Sequence, residues 1–104
     1  MKYKVVLTSR AKAQFRQIMH YLRYELESQQ AAKNVADDFK ETIDRLSTTA
    51  GSFKLCDDET LRAKGYRVVR FRRHKYLMIY SIHNGTAYVE GIYHNLQDYE
   101  NALK

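Results

Sequence analysis

Seven cationic side chains, Arg62, Lys64, Arg67, Arg70, Arg72, Arg73 and Lys75, fall within residues 60–90 against one carboxylate, Glu90, while the rest of the chain carries eleven of each sign. The whole formal charge of +6 therefore sits on about a third of the sequence. A surface kept basic only for solubility would intersperse the two signs, whereas a localised field of this kind attracts an anionic partner. His94 follows closely, an imidazole whose ordinary pKa lies near neutrality and which can take or give a proton. Tyr93 precedes it and Tyr99 comes soon after. Of the other histidines, His74 and His83 read as turn residues and His20 as a helix-surface residue, and no pair has the i, i+4 spacing of a zinc site. Cys56 is alone, which excludes an internal disulfide and a cysteine-based metal centre. The acidic run Asp57-Asp58-Glu59 has no histidine near it and reads as a solvated loop. Neither a metal nor another cofactor is expected.

These residues have to be positioned by a small framework. With 104 residues the chain is the size of one ordinary domain, and 44% hydrophobic with 29% charged residues is the balance of a soluble, folded protein. The opening apolar run is too short for a signal peptide, and nothing later reaches membrane-spanning length, so a cytoplasmic protein with no membrane partner is expected. Residues 3–7 are β-branched and aromatic and predict a strand, followed by Thr8 and Ser9 as helix caps. Phe15, Ile18, Met19, Leu22 and Leu26 then form one helical stripe. Ser28 caps a second helix whose buried face is predicted as Ala32, Val35, Ala36, Phe39, Ile43 and Leu46, ending at Gly51 in a left-handed conformation. So short a connection makes the two helices an antiparallel hairpin, and their mixed-charge outer faces need no function.

Residues 66–71, 76–82 and 86–93 predict three strands, joined by the cationic turn Arg72-Arg73-His74-Lys75 and by Asn84-Gly85, the pair best suited to a type I′ turn. Simple alternation puts Thr86, Tyr88, Glu90, Ile92 and His94 on one face of the third strand and Ala87, Val89, Gly91 and Tyr93 on the other. A short terminal helix falls within residues 96–103. The expected fold is α+β: an N-terminal strand, a helical hairpin on one face of an antiparallel sheet ending in a three-strand meander, and a short C-terminal helix. The second face of the sheet is expected to be open and to carry the arginines, the tyrosines and His94.

Taken together, the opening strand with Ser9, the pair Ala31-Ala32 opening the second helix, Tyr66-Arg67-Val68, Tyr80, and the ending Ile92-Tyr93-His94 with Asp98 resemble the RelE/ParE superfamily of bacterial toxins from type II toxin–antitoxin modules. The likeness covers almost the whole chain. It implies a toxin neutralised by a cognate antitoxin, the pair binding operator DNA to repress its own operon. It leaves the target open, because one branch cleaves mRNA on the ribosome and another poisons DNA gyrase without nuclease chemistry.

Metal-free RNA cleavage needs a proton acceptor, cations for the phosphorane-like transition state, an acid for the leaving oxygen and often a ring to hold a base. Under that reading His94 is the acid or base, Arg70 and Arg72 the leading phosphate ligands with Arg67, Arg73 and Lys75 in support, and Tyr93 or Tyr99 the residue that stacks or positions the substrate. The concentrated arginines and His94 favour the ribosome and mRNA as target. Against them, Asn95, Leu96 and Gln97 stand where RelE-like enzymes carry a further arginine, and the His94…Asp98 ending is similar to the ParE branch, which makes DNA gyrase the alternative. A degenerate toxin or basic binding module that only binds an acidic protein partner, without either activity, is the third reading.

Overall fold

A computed structural model describes residues 2–103. Strand β1 (Lys4–Leu7) leads into helix α1 (Ser9–His20), and helix α2 (Gln29–Thr49) returns antiparallel to it, with Phe15 stacked on Phe39 at 4.1 Å. Both helices begin where a side-chain oxygen takes an otherwise unpaired backbone N–H: Ala11 donates to Thr8 Oγ1 at 3.2 Å and Ala31 to Ser28 Oγ at 3.0 Å. Helix α1 does not stop at His20 but widens into a π-helical turn over Tyr21–Glu25, with Leu26 N–H donating to the Tyr21 carbonyl. The extra residue in that turn shifts the stripe. Met19 and Leu22 remain buried, whereas Leu26, expected to be buried, is 53% exposed.

Helix α2 continues as a short 3-10 turn over Ala50–Ser52. Gly51 is not left-handed; it leaves room for the Tyr3 ring, because a Cβ there would come 2.6 Å from the Tyr3 hydroxyl. The segment read as a loop contains helix α3 (Glu59–Ala63), capped by Asp58. Strands β2 (Arg67–Arg70), β3 (Tyr76–His83) and β4 (Thr86–His94) follow as the meander, and α4 (Tyr99–Ala102) ends the chain. Asn84 and Gly85 both have positive φ, 49° and 77°, as the type I′ turn requires.

The sheet order is β1-β4-β3-β2. β1 lies parallel to β4 and the other pairs are antiparallel, so the four-stranded sheet is mixed. Parallel pairing follows from the connection: the helical hairpin carries the chain back over one face before β1's partner is laid down. Between the hairpin and the sheet lies the main core, including Met19, Leu22, Val35, Leu46, Val69, Met78, Tyr80, Val89 and Ile92. Tyr80 is fully buried and its hydroxyl donates to the Ala50 carbonyl, which ties the middle of the sheet to the end of α2.

The second face is not open. Cys56, Leu61, Leu77, Ile79, Tyr93 and Leu103 form a smaller core there, roofed by α3 and α4. Burial and nearby acidic groups push the Cys56 thiol up from its ordinary pKa, keeping it protonated and inert.

Candidate functional site

One bulge decides which residues can meet. Ile79 pairs with Gly91 but Tyr80 with Val89, so Glu90 is the extra residue in β4. Alternation therefore resets there: Ala87, Val89 and Ile92 face the helices, while Tyr93 faces the second core. The Ile92 N–H near the bulge is satisfied by Gln14 Oε1 of α1 at 2.8 Å. His94, paired with Tyr76, consequently stands on the helical side of the sheet, its ring edge-on to Tyr76 at 5.4 Å.

There it borders a groove of about 690 Å³ together with Gln14, Gln17, Tyr21, Leu22, Leu26, Tyr76 and Gln97. Its ring Nδ1 accepts the Leu96 backbone N–H at 3.2 Å, and the His94 backbone N–H donates to Gln97 Oε1 at 2.7 Å. Two of the apolar residues that line the groove, Tyr21 and Leu26, are exposed by 50% and 53%. No arginine lines it.

The cations expected to join His94 are distributed around the end of the sheet. Arg70 is on the second face, across from Leu77, beside the Tyr99 hydroxyl. Tyr99 in turn packs on Tyr93, ring centroids 6.0 Å apart, and Tyr93 is buried. Burial raises the Tyr99 pKa, with Glu100 adding to the rise and Arg70 opposing it. Arg67 lies about 10 Å further along β2, on the helical side, where its Nη1 donates to the Phe53 carbonyl at 2.5 Å. Arg72 and Arg73 both reach Glu41 of α2, at 3.5 and 2.6 Å. Lys75 is exposed at the turn. Arg67 and Arg70 lie on opposite faces of β2, as strand parity requires, so at most one of them could join His94, and it is Arg70, the one favoured from the sequence together with Arg72, that lies away from it. The sheet itself separates His94 from Arg70, Tyr93 and Tyr99, and Glu41 holds Arg72 and Arg73 against α2.

The turn that carries these arginines is built on a residue the sequence reading passed over. Asp38 of α2 is fully buried, and its carboxylate accepts the backbone N–H of Arg72 at 3.3 Å, that of Arg73 at 2.9 Å and His74 Nδ1 at 2.8 Å. Burial alone would raise its pKa, but His74 and the two backbone N–H groups more than offset this and hold the carboxyl below its ordinary value. A signal was present: Asp38 lies three residues after Val35 and four before Thr42, on the buried side of α2, where an acidic residue demands a partner. His74 is accordingly a fastener and not a solvated turn residue. Arg45, also unremarked, crosses from α2 over the Phe53 ring and donates to the Arg70 carbonyl at 3.2 Å. Among the described residues there is no cluster of three or more groups that could hold a metal.

A family model described as "ParE toxin of type II toxin-antitoxin system, parDE" matches residues 5–99. The chain belongs to the ParE toxin family. Among solved structures it is similar to a chain of the chromosomal ParDE toxin–antitoxin system from P. aeruginosa, with a TM-score of 0.66 and 16% identity, over 88% of this chain and 94% of that one. At that identity the likeness speaks for the fold alone. No curated protein matches the sequence. For a ParE-family toxin the expected partner is an antitoxin, and among the described residues no helix is long and apolar enough to cross a membrane.

Proposed function

We propose that this ParE-family chain arrests growth by inhibiting DNA gyrase and does not cleave RNA. The observation that carries the reading is the separation of His94 from the arginines. General acid–base catalysis at a phosphate requires the proton-transfer group within hydrogen-bond reach of the reacting oxygen and the cations around the same phosphate. Here His94 and Arg70 stand on opposite sides of a packed sheet, Tyr93 is buried, and Arg72 and Arg73 are engaged by Glu41. The family match points the same way, since gyrase inhibition was the activity implied by the ParE branch.

The groove beside His94 fits the antitoxin. Its exposed apolar residues Tyr21 and Leu26 are of the kind that soluble proteins cover with a partner. Operator DNA binding then belongs to the toxin–antitoxin pair.

The deciding experiment adds the purified toxin to gyrase, ATP and relaxed plasmid in one tube and to a translating extract in another. Loss of supercoiling with accumulated cleaved DNA, and intact message, is the expected result. New mRNA ends at ribosomes with gyrase unaffected would overturn the proposal.

A further inference from the structure

Cations outside any ion pair are found on the first helix as well as around the meander, where Arg70 and Lys75 are among them. Helix α1 contains Arg10, Lys12 and Arg16 and no acidic residue, and its π-helical extension adds Arg23 and one carboxylate, Glu25, which borders a neighbouring depression with Arg16 and His20. Among the described residues Lys12, Arg16 and Arg23 take part in no ion pair, in contrast with Arg72 and Arg73. Arg16, His20, Arg23 and Tyr24 border one shallow depression of about 400 Å³ whose floor is Phe15 and Met19. The His20 and Tyr24 rings lie against each other with centroids 4.8 Å apart, and Tyr24 is 63% exposed. Lys12 extends the line by one turn, so the cations span roughly 16 Å of helix.

We infer that this strip of α1 is a binding surface for single-stranded nucleic acid, with Arg16, Arg23 and Lys12 on phosphates and a base held against Tyr24 and His20. The depression joins an apolar floor and an open ring face to a cationic rim. A nucleotide has that same division, a flat π face one sugar away from a charge, and stacking on an exposed aromatic ring is how unpaired strands are held without sequence preference. An acidic peptide that also carries apolar side chains would answer the charge and the apolar floor, and it is the competing occupant that the test separates. The strip shares no lining residue with the groove beside His94, so its test is separate from that of the gyrase proposal.

The test is fluorescence anisotropy of the full chain with a dye-labelled single-stranded DNA of mixed sequence, about 12 nucleotides long, within the range one small binding surface covers. With three phosphate contacts, raising salt from about 50 to about 200 mM should weaken binding roughly 20-fold. The double variant Arg16→Gln/Arg23→Gln should bind more weakly at every salt concentration and lose only about 3-fold over the same range. Tyr24→Ala should weaken binding roughly 5- to 100-fold, and Tyr24→Phe should restore it, because the ring and not the hydroxyl does the stacking. All these positions are exposed, so melting temperatures should match the parent chain. Absence of binding overturns the inference, as does binding that survives Arg16→Gln/Arg23→Gln but is lost with Arg72→Gln/Arg73→Gln. If the α1 variants lose antitoxin binding and keep DNA binding, the strip is a protein interface and the inference fails. A toxin that leaves gyrase untouched but binds DNA in this way would refute the gyrase proposal alone.

Discussion

Replacing Asp38 with alanine should be among the most damaging single changes in the molecule, although none of the chemistry proposed for the chain uses it. Its carboxylate is fully buried and receives three hydrogen bonds, from the Arg72 and Arg73 backbone and from His74. Hydrogen bonds to a charged group contribute about 1.5–3 kcal/mol each, and donors left without an acceptor keep their desolvation cost. The turn is partly exposed, so water recovers some of the loss, and the expected destabilisation is about 3–4 kcal/mol. For a domain of this size that lowers the melting temperature by roughly 12–30 °C.

Asp38→Asn keeps the shape and one acceptor oxygen and should cost about half as much, and His74→Ala, which leaves both backbone donors paired, less again. The sign of the pH dependence follows from the lowered carboxyl pKa. The stabilisation is complete above the ordinary carboxylate pKa of 3.8 and is lost as pH falls through the still lower value of the folded state. Urea unfolding of the three variants at neutral pH, repeated for the parent and Asp38→Asn down to pH 3, measures both effects. An Asp38→Ala variant within about 1 kcal/mol of the parent, less than one charged hydrogen bond is worth, would refute the reasoning. So would an acid-sensitive limb that persists unchanged in Asp38→Asn.

Gly91→Ala should destabilise by about 1–3 kcal/mol in a thermal melt, because overpacking forces neighbours to move and a Cβ there would lie 2.9 Å from Tyr93 Cζ. Adding Tyr93→Leu should recover part of the loss. Leu26→Asp should weaken antitoxin binding about tenfold or more by titration calorimetry with little change in melting temperature, since Leu26 lines the groove and is 53% exposed.

Much of the architecture was legible because it rests on local signals. Thr8 and Ser28 cap the helices they were expected to cap, Asn84-Gly85 makes the expected turn, and the strands of the meander begin and end within a residue or so of their predicted bounds. The capping oxygens and the left-handed turn residues act within four residues of themselves, so no tertiary knowledge is needed to read them. The short helix α3 was missed because five residues carry too little periodicity, and its roof over the second core cannot be inferred from its own composition.

The candidate site depended on what local signals do not contain. Composition and order alone determined a basic α+β chain with its charge gathered around the meander and, through the spacing of a few residues, a likeness to the toxin superfamily. Only the folded chain decided which of those charges were free. A single extra residue at Glu90 turned the strand so that His94 and the helices share a face, and Glu41, 31 positions from Arg72, took up two of the arginines. A further residue in the π-helical turn exposed Leu26. Each is a long-range or register effect, in which one residue changes the direction of many side chains. Net charge can therefore be counted from a sequence, but its availability to a partner is set by packing.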